Sequence, residues 1–151
     1  MSDDHASLAA LATAQVARVA GSESAVVEVP GLVLASPALV AALRASHWFV
    51  ARLDRAPVVD KATLLHALYQ SGKYPAGFGF NWDALLDALR DLEWLEPAAG
   101  IAFVWHAPDV LEARAPEVYA TFLDVVADAQ AHRAARGYAL LRVLVPAGRP
   151  E

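Results

Sequence analysis

The sequence predicts an α/β protein: a small, mostly parallel β-sheet packed with α-helices, with an N-terminal helical extension. Two observations lead there. Short apolar runs such as "HWFVARLD", "GIAFVWH" and "YALLRVLVP" alternate with longer helical patterns, the order in which parallel strands are connected. The composition is 57% hydrophobic but only 9% aromatic, because alanine makes up much of the apolar count; alanine favours helix and contributes little buried area per residue. At 151 residues the chain is one domain's worth, long enough to form a core without metal or disulfide staples.

The elements follow in order. "HASLAALATAQVARVA" carries apolar residues at helical spacing and stops at Gly21. "AVVEVPGLVL" reads as a short strand or extended segment with a Pro-Gly turn. Ser36-Pro37 starts a helix, "PALVAALRA", because serine can cap and proline at the first helical position has no donor to lose. After the strand "HWFVARLD", Asp60 caps "KATLLHALYQ", which ends at Gly72. Asn81 caps "WDALLDALRDL", and "GIAFVWH" is a strand of the buried type. Pro116 opens a long helix, "PEVYATFLDVVADAQAHRAAR", ended by Gly137, and "YALLRVLVP" is the last strand. Residues 1–46 are thus expected to form an extension of helix, extended segment and helix packed on a main domain at 47–146, with a loose tail at 147–151.

Charge and composition exclude several functions. The formal net charge is −5, with ten arginines and two lysines spread along the chain. Such a surface does not attract a phosphate backbone, so no nucleic acid is expected as partner. There is no cysteine, which removes disulfides, thiolate zinc sites and a cysteine nucleophile. The acidic start lacks a basic leader and an uninterrupted apolar span, as expected of a soluble cytoplasmic protein without a membrane partner. The five histidines show no metal spacing, and Asp124, Asp128 and His132, at four-residue intervals, read as helical charge patterning. Trp48 and Trp105 fall in strand patterns and Trp82 on an apolar stripe, so these read as core, whereas Trp94 lies beside an acidic run.

One stretch resists a purely structural reading. In "GFGFNWDALLDAL", residues 77–89, Trp82, Leu85, Leu86 and Leu89 form an apolar stripe, and Asp83, Asp87 and Arg90 lie on the other face. Asp83 suits a helix start, but Asp87 sits a turn further in, where a like-charge pair costs about 0.2–0.5 kcal/mol. Asp91, Glu93 and Glu96 add more acid, with Arg90 the single cation among them. A solvated face and a surface shaped for a cationic partner both fit this pattern. Gly77 and Gly79 let the loop bend, and Phe78 and Phe80 beside paired carboxylates suit a protein interface.

"YPAGFGFNWDALLDAL" resembles the signature of the barstar family: a proline, a loop ending in aromatic-Gly-x-Asn, then x-Asp-Ala-Leu-x-Asp-x-Leu. Phe78, Gly79, Asn81, Trp82, Asp83, Ala84, Leu85, Asp87 and Leu89 fit the pattern, and the element order from about His47 to Pro146 also agrees. The first 46 residues lie outside the resemblance. It implies a small α/β inhibitor of a basic, barnase-type ribonuclease, binding one-to-one in the cytoplasm without a cofactor. It also implies Asp87 as the central carboxylate in the nuclease phosphate site, with Asp83 one turn earlier and Asp128 as a second acidic contact; the expected contact runs through residues 77 to 91 and so takes in Gly77, Phe78, Phe80, Leu86 and Asp91. Gly77 and Leu86 stand where the family prototype has aromatic residues, a departure that points to a different target or weaker binding.

Two rival readings remain at this stage. One is an immunity protein that keeps the scaffold but neutralises a different basic toxin. The other is a small hydrolase using Asp83 and Asp87 as a carboxylate pair, against which stands the lack of a phosphate loop, nucleophile elbow or metal partner nearby. A closed cleft around the pair would favour hydrolysis, and an exposed convex helix inhibition.

Overall fold

A computed structural model describes residues 2–95 and 98–148, with side chains from Ser7 onward. Glu96 of the acidic run, the side chain of His5 and the tail from 149 onward lie outside the described residues. Eleven elements follow in order: α1 (Ser2–Ala20), β1 (Val26–Val29), α2 (Gly31–Leu34), α3 (Pro37–Ala45), β2 (Trp48–Arg52), α4 (Lys61–Ser71), α5 (Trp82–Asp91), β3 (Gly100–Val104), α6 (Pro108–Arg114), α7 (Pro116–Ala135) and β4 (Leu140–Pro146).

The four strands form one sheet in the order β1-β4-β3-β2, and every pairing is parallel. The chain steps β2 to β3 to β4 in one direction across the sheet but β1 to β2 in the other. Crossovers in parallel sheets are right-handed, so steps in opposite directions carry their helices on opposite faces. The core divides accordingly. Leu64 and Leu68 of α4, Leu85 and Leu89 of α5, Leu111 of α6 and Phe122 and Val126 of α7 pack on one face against Ile101, Phe103, Leu141 and Val143. Ala12 and Val19 of α1, Val33 of α2 and Leu39 and Leu43 of α3 cover the other, against Val27, Val50, Ala102, Val104 and Leu144. With both faces covered, β3 is buried throughout, as its unbroken apolar sequence requires.

The caps read from sequence are in place. Ser36 Oγ accepts from the Ala38 amide at 3.1 Å, and Asp60 and Thr63 close a reciprocal capping box. The structure differs from the sequence expectation in two places. "PGLVL" is not extended: after Pro30 the chain enters the short helix α2, which drops Val33 and Leu34 into the second core. The helix α6 was not expected. Its start is held by Asp54, just past β2, which is 9% exposed and accepts from the amides of His106 (3.1 Å) and Ala107 (2.9 Å). A carboxylate at these free amides satisfies donors that a helix start leaves unpaired. No helix among the described residues is long and apolar enough to cross a membrane.

Candidate functional site: an acidic helix and its aromatic loop

The start of α5 is fixed by Asn81. Its Oδ1 accepts from the Ala84 amide at 2.8 Å and its Nδ2 donates to the Gly79 carbonyl at 3.2 Å. That cap sets the helical phase, burying Leu85 and Leu89 completely and turning Asp83 and Asp87 to solvent. Leu86 is half-buried and packs against the core edge.

The other end is held by a residue that sequence reasoning did not single out. Arg133 of α7 is 3% exposed, and its Nη1 donates to the carbonyls of Asp91 (2.9 Å), Arg90 (3.2 Å) and Leu89 (3.5 Å), while its Nε donates to Ala139 (3.0 Å). These are among the last carbonyls of α5, which a helix leaves without internal partners and which carry its negative dipole end. Burial lowers the Arg133 pKa, with the Asp91 carboxylate and then Tyr138 opposing. In sequence Arg133 resembles any basic residue in a last helical turn; only packing aims it at a second helix.

The loop entering α5 is organised by rings. Phe78 is half-buried, edge-on to Tyr74 (centroids 5.0 Å apart) and to Phe80 (4.9 Å), and stacked near Tyr69 (6.1 Å). Trp94 is half-buried rather than displayed: its Nε1 donates to the Gly72 carbonyl at 2.9 Å and its ring lies edge-on to Tyr74. A side chain at Gly72 would run into the Tyr74 ring, so this glycine serves close approach. The two loop glycines also differ from each other. Gly77 takes φ +93°, but the second left-handed residue is Phe80 (φ +49°), not Gly79. A Cβ at Gly79 would crowd the Asn81 cap, at 3.1 Å from Nδ2. A bulky residue in the left-handed region is held against its own preference, at a cost on the order of 1–3 kcal/mol. Phe80 is 38% exposed and lies on the His66 ring, with centroids 4.7 Å apart.

Between this loop and α5 lies an open depression of about 270 Å³, lined by Tyr74, Gly77, Phe78, Asp87, Ala88 and Trp94 among others. The carboxylates around it differ in kind. Among the described residues no cation lies within salt-bridge distance of Asp83 or Asp87. Asp128 of α7 is bridged to Arg90 at 3.3 Å, across the α5–α7 contact, and Asp91 faces Arg133. His132 is half-exposed nearby, its Nδ1 3.1 Å from Arg136 Nη1. Partial burial, then Arg136 and Arg90, lower its pKa from the ordinary histidine value, with Asp128 opposing. The depression thus brings Gly77, Phe78 and Asp87 together, with Phe80 against Phe78, Asp83, Leu86 and Asp91 on the same helix, and Asp128 joined to that helix through Arg90; among the described residues Asp128 alone of the four aspartates has a cation within salt-bridge distance, while Asp91 lies in the field of Arg133.

The sequence model of a family described as Barstar (barnase inhibitor) matches residues 48–145, well over half of the chain. No curated protein matches the chain. The matched region begins at Trp48 in β2, so α1, β1, α2 and α3 fall outside it.

Proposed function

The chain belongs to the barstar family, an inhibitor family, and on that premise we propose that it blocks the active site of a basic, barnase-type ribonuclease with α5 and the loop before it. The observation carrying this reading is the exposed Asp83/Asp87 pair, which no cation among the described residues reaches within salt-bridge distance, on a helix braced at both ends. A fixed acidic ridge suits a phosphate-binding pocket, because its carboxylates occupy the places of RNA phosphates and need no reorganisation to do so. Asp87, beside the depression, enters the pocket; Asp83 contacts it from one turn earlier. Asp128 and Asp91 reach the partner only by sharing Arg90 and Arg133, so they contribute less. Phe80 and the Gly77 turn form the rim, while Phe78 acts from beneath by fixing the loop. The proposed complex is one-to-one, and the reading implies a cytoplasmic location, where cellular RNA needs protection.

The exposure of Asp83 and Asp87 speaks against the hydrolase reading, which needs a closed cleft. A second reading has specific support: an immunity protein for a different basic toxin. Gly77 leaves the depression open where the family prototype places an aromatic ring, and Leu86 is drawn toward the core, so the surface offers a notch and a flatter flank.

The test is inhibition of a barnase-type ribonuclease at low salt, with Asp87→Ala and Asp83→Ala beside the unaltered protein. Asp87→Ala is expected to weaken inhibition by about 2–5 kcal/mol, a range for which the barnase–barstar complex is itself a source. Asp83→Ala is expected to lose less. Inhibition that is tight but indifferent to both substitutions refutes the site. No inhibition refutes the barnase-type target and leaves the second reading, tested by capture of another basic toxin with the same two variants.

A further inference from the structure

The opposite charge gathers at the edge of the sheet. β2 pairs with β3 on one side and, among the described residues, has no strand on the other. The Leu53 amide donates to Val104 and the His47 carbonyl accepts from Ala99, both at 2.8 Å, so the odd-numbered residues face β3. Alternation then turns the N–H and C=O groups of Trp48, Val50 and Arg52 outward. Among the described residues none of these outward groups has a partner. They open into a groove of about 650 Å³ between β2 and α4. Natural sheets cover, shorten or charge such edges, because a free edge is a template for another strand.

Arg44, Arg52, Arg55 and Lys73 line this groove, and among the described residues no aspartate or glutamate does. Among the described residues, no carboxylate lies within salt-bridge distance of Arg44, Arg55 or Lys73; Arg52 alone meets Asp54, at 3.5 Å. On a chain of net charge −5 this is a local reversal of sign. The α4 side also offers apolar surface, Phe49 and Ala67, with Lys73 Nζ 5.7 Å from the Phe49 ring centroid.

We propose that the β2 edge is a strand-addition site for an extended acidic segment of a protein partner. The segment's backbone pairs with Trp48, Val50 and Arg52, its acidic side chains meet Arg44 and Arg52, and its apolar ones rest on Phe49 and Ala67. Main-chain bonds supply affinity and alternate side chains supply specificity in this mode. An RNA strand would meet the cations but leave the free amides and carbonyls unused. The basic ligand of α5 is repelled here, so the two surfaces take partners of opposite charge, and His66, which lines the groove and touches Phe80, joins them.

The probe is a short acetylated peptide alternating glutamate with valine, titrated into the intact protein and followed by residue-resolved amide hydrogen exchange. Slowed exchange is expected at Trp48, Val50 and Arg52, with Phe49 and Ala51 unchanged because they already bond to β3. Arg44→Glu combined with Lys73→Glu is expected to weaken binding by at least about tenfold. Arg52→Pro removes an outward donor and is expected to weaken binding more than Arg52→Ala. Circular dichroism separates lost binding from lost fold in the variants, and the exchange pattern of the unaltered protein stands without them. The proposal is overturned if the peptide protects no outward amide or if a lysine-for-glutamate peptide binds equally. Tighter binding of a single-stranded RNA, or protection that grows with protein concentration alone and so marks a second copy, overturns it as well.

Discussion

Helices α1 and α5 lie on opposite faces of the sheet and end in the same way. Arg142 of β4, 2% exposed, donates to the carbonyls of Val19 (2.9 Å), Ser22 (2.8 Å) and Ala20 (3.4 Å), as Arg133 does for Leu89, Arg90 and Asp91. Each guanidinium satisfies orphan carbonyls and complements a negative dipole end, which makes its own burial tolerable. Above that shared anchor the two helices diverge. The exposed positions of α1 between Ala9 and Arg18 are mostly alanine, with Leu11, Thr13 and a single arginine, whereas α5 displays Asp83, Asp87 and Asp91. The entry to α5 is also stiffened by stacked rings and a strained Phe80. The anchor is a property of the fold, and the site lies in what one anchored helix presents.

Replacing one arginine at a time is the sharpest way to break that parallel. Arg133→Met leaves several carbonyls unpaired and is expected to destabilise the protein by about 3 kcal/mol, measured by urea unfolding. Because α5 then frays, inhibition in the assay above is expected to fall with it. Arg142→Met is expected to cost a similar amount in unfolding and to leave inhibition, measured under conditions where the protein stays folded, unchanged. If both substitutions weaken inhibition equally, the two helices are not independent and the comparison fails.

A smaller effect tests the front of α5. Asn81→Ala removes the cap and is expected to cost about 1 kcal/mol, with faster amide exchange at Asp83 and Ala84 and little change at Leu89. Unchanged exchange at both amides would show that the aromatic loop, not Asn81, fixes the helix start.

The smallest expected effect sharpens the electrostatics where α5 meets α7. His132 has its folded-state pKa lowered, so below the ordinary histidine value the unfolded chain binds the extra proton, and this residue reduces stability as pH falls through that range. Its NMR titration midpoint is expected below about 6.5. Asp128→Asn, which removes the group opposing the shift, is expected to lower it further, and Arg90→Gln to raise it. A midpoint at or above the ordinary value contradicts the arrangement of charges around Asp128.

Much of the fold was legible because it is local. Ser36, Asp60 and Asn81 cap the helices their positions predict, and the unbroken apolar runs became parallel strands covered on both faces. The two misread pieces have physical reasons. Pro-Gly before Leu-Val-Leu fits a turn and a tight helix equally, and the second core decided for the helix by burying Val33 and Leu34. The helix α6 is short and its start is held by Asp54, more than fifty residues earlier, a partner no local pattern announces.

The site divides along the same line. The sequence by itself determined α5, its cap, its acidic face and the family pattern around them, since helical phase follows from side chains within a few residues of one another. Only the tertiary structure decided which carboxylates are already compensated, that Phe78 supports the loop while Phe80 is exposed, and that a basic edge strand lies beyond His66. Those outcomes depend on distances between groups far apart in the chain. Coulomb and packing energies are set by separation in space, and periodicity in sequence does not encode it.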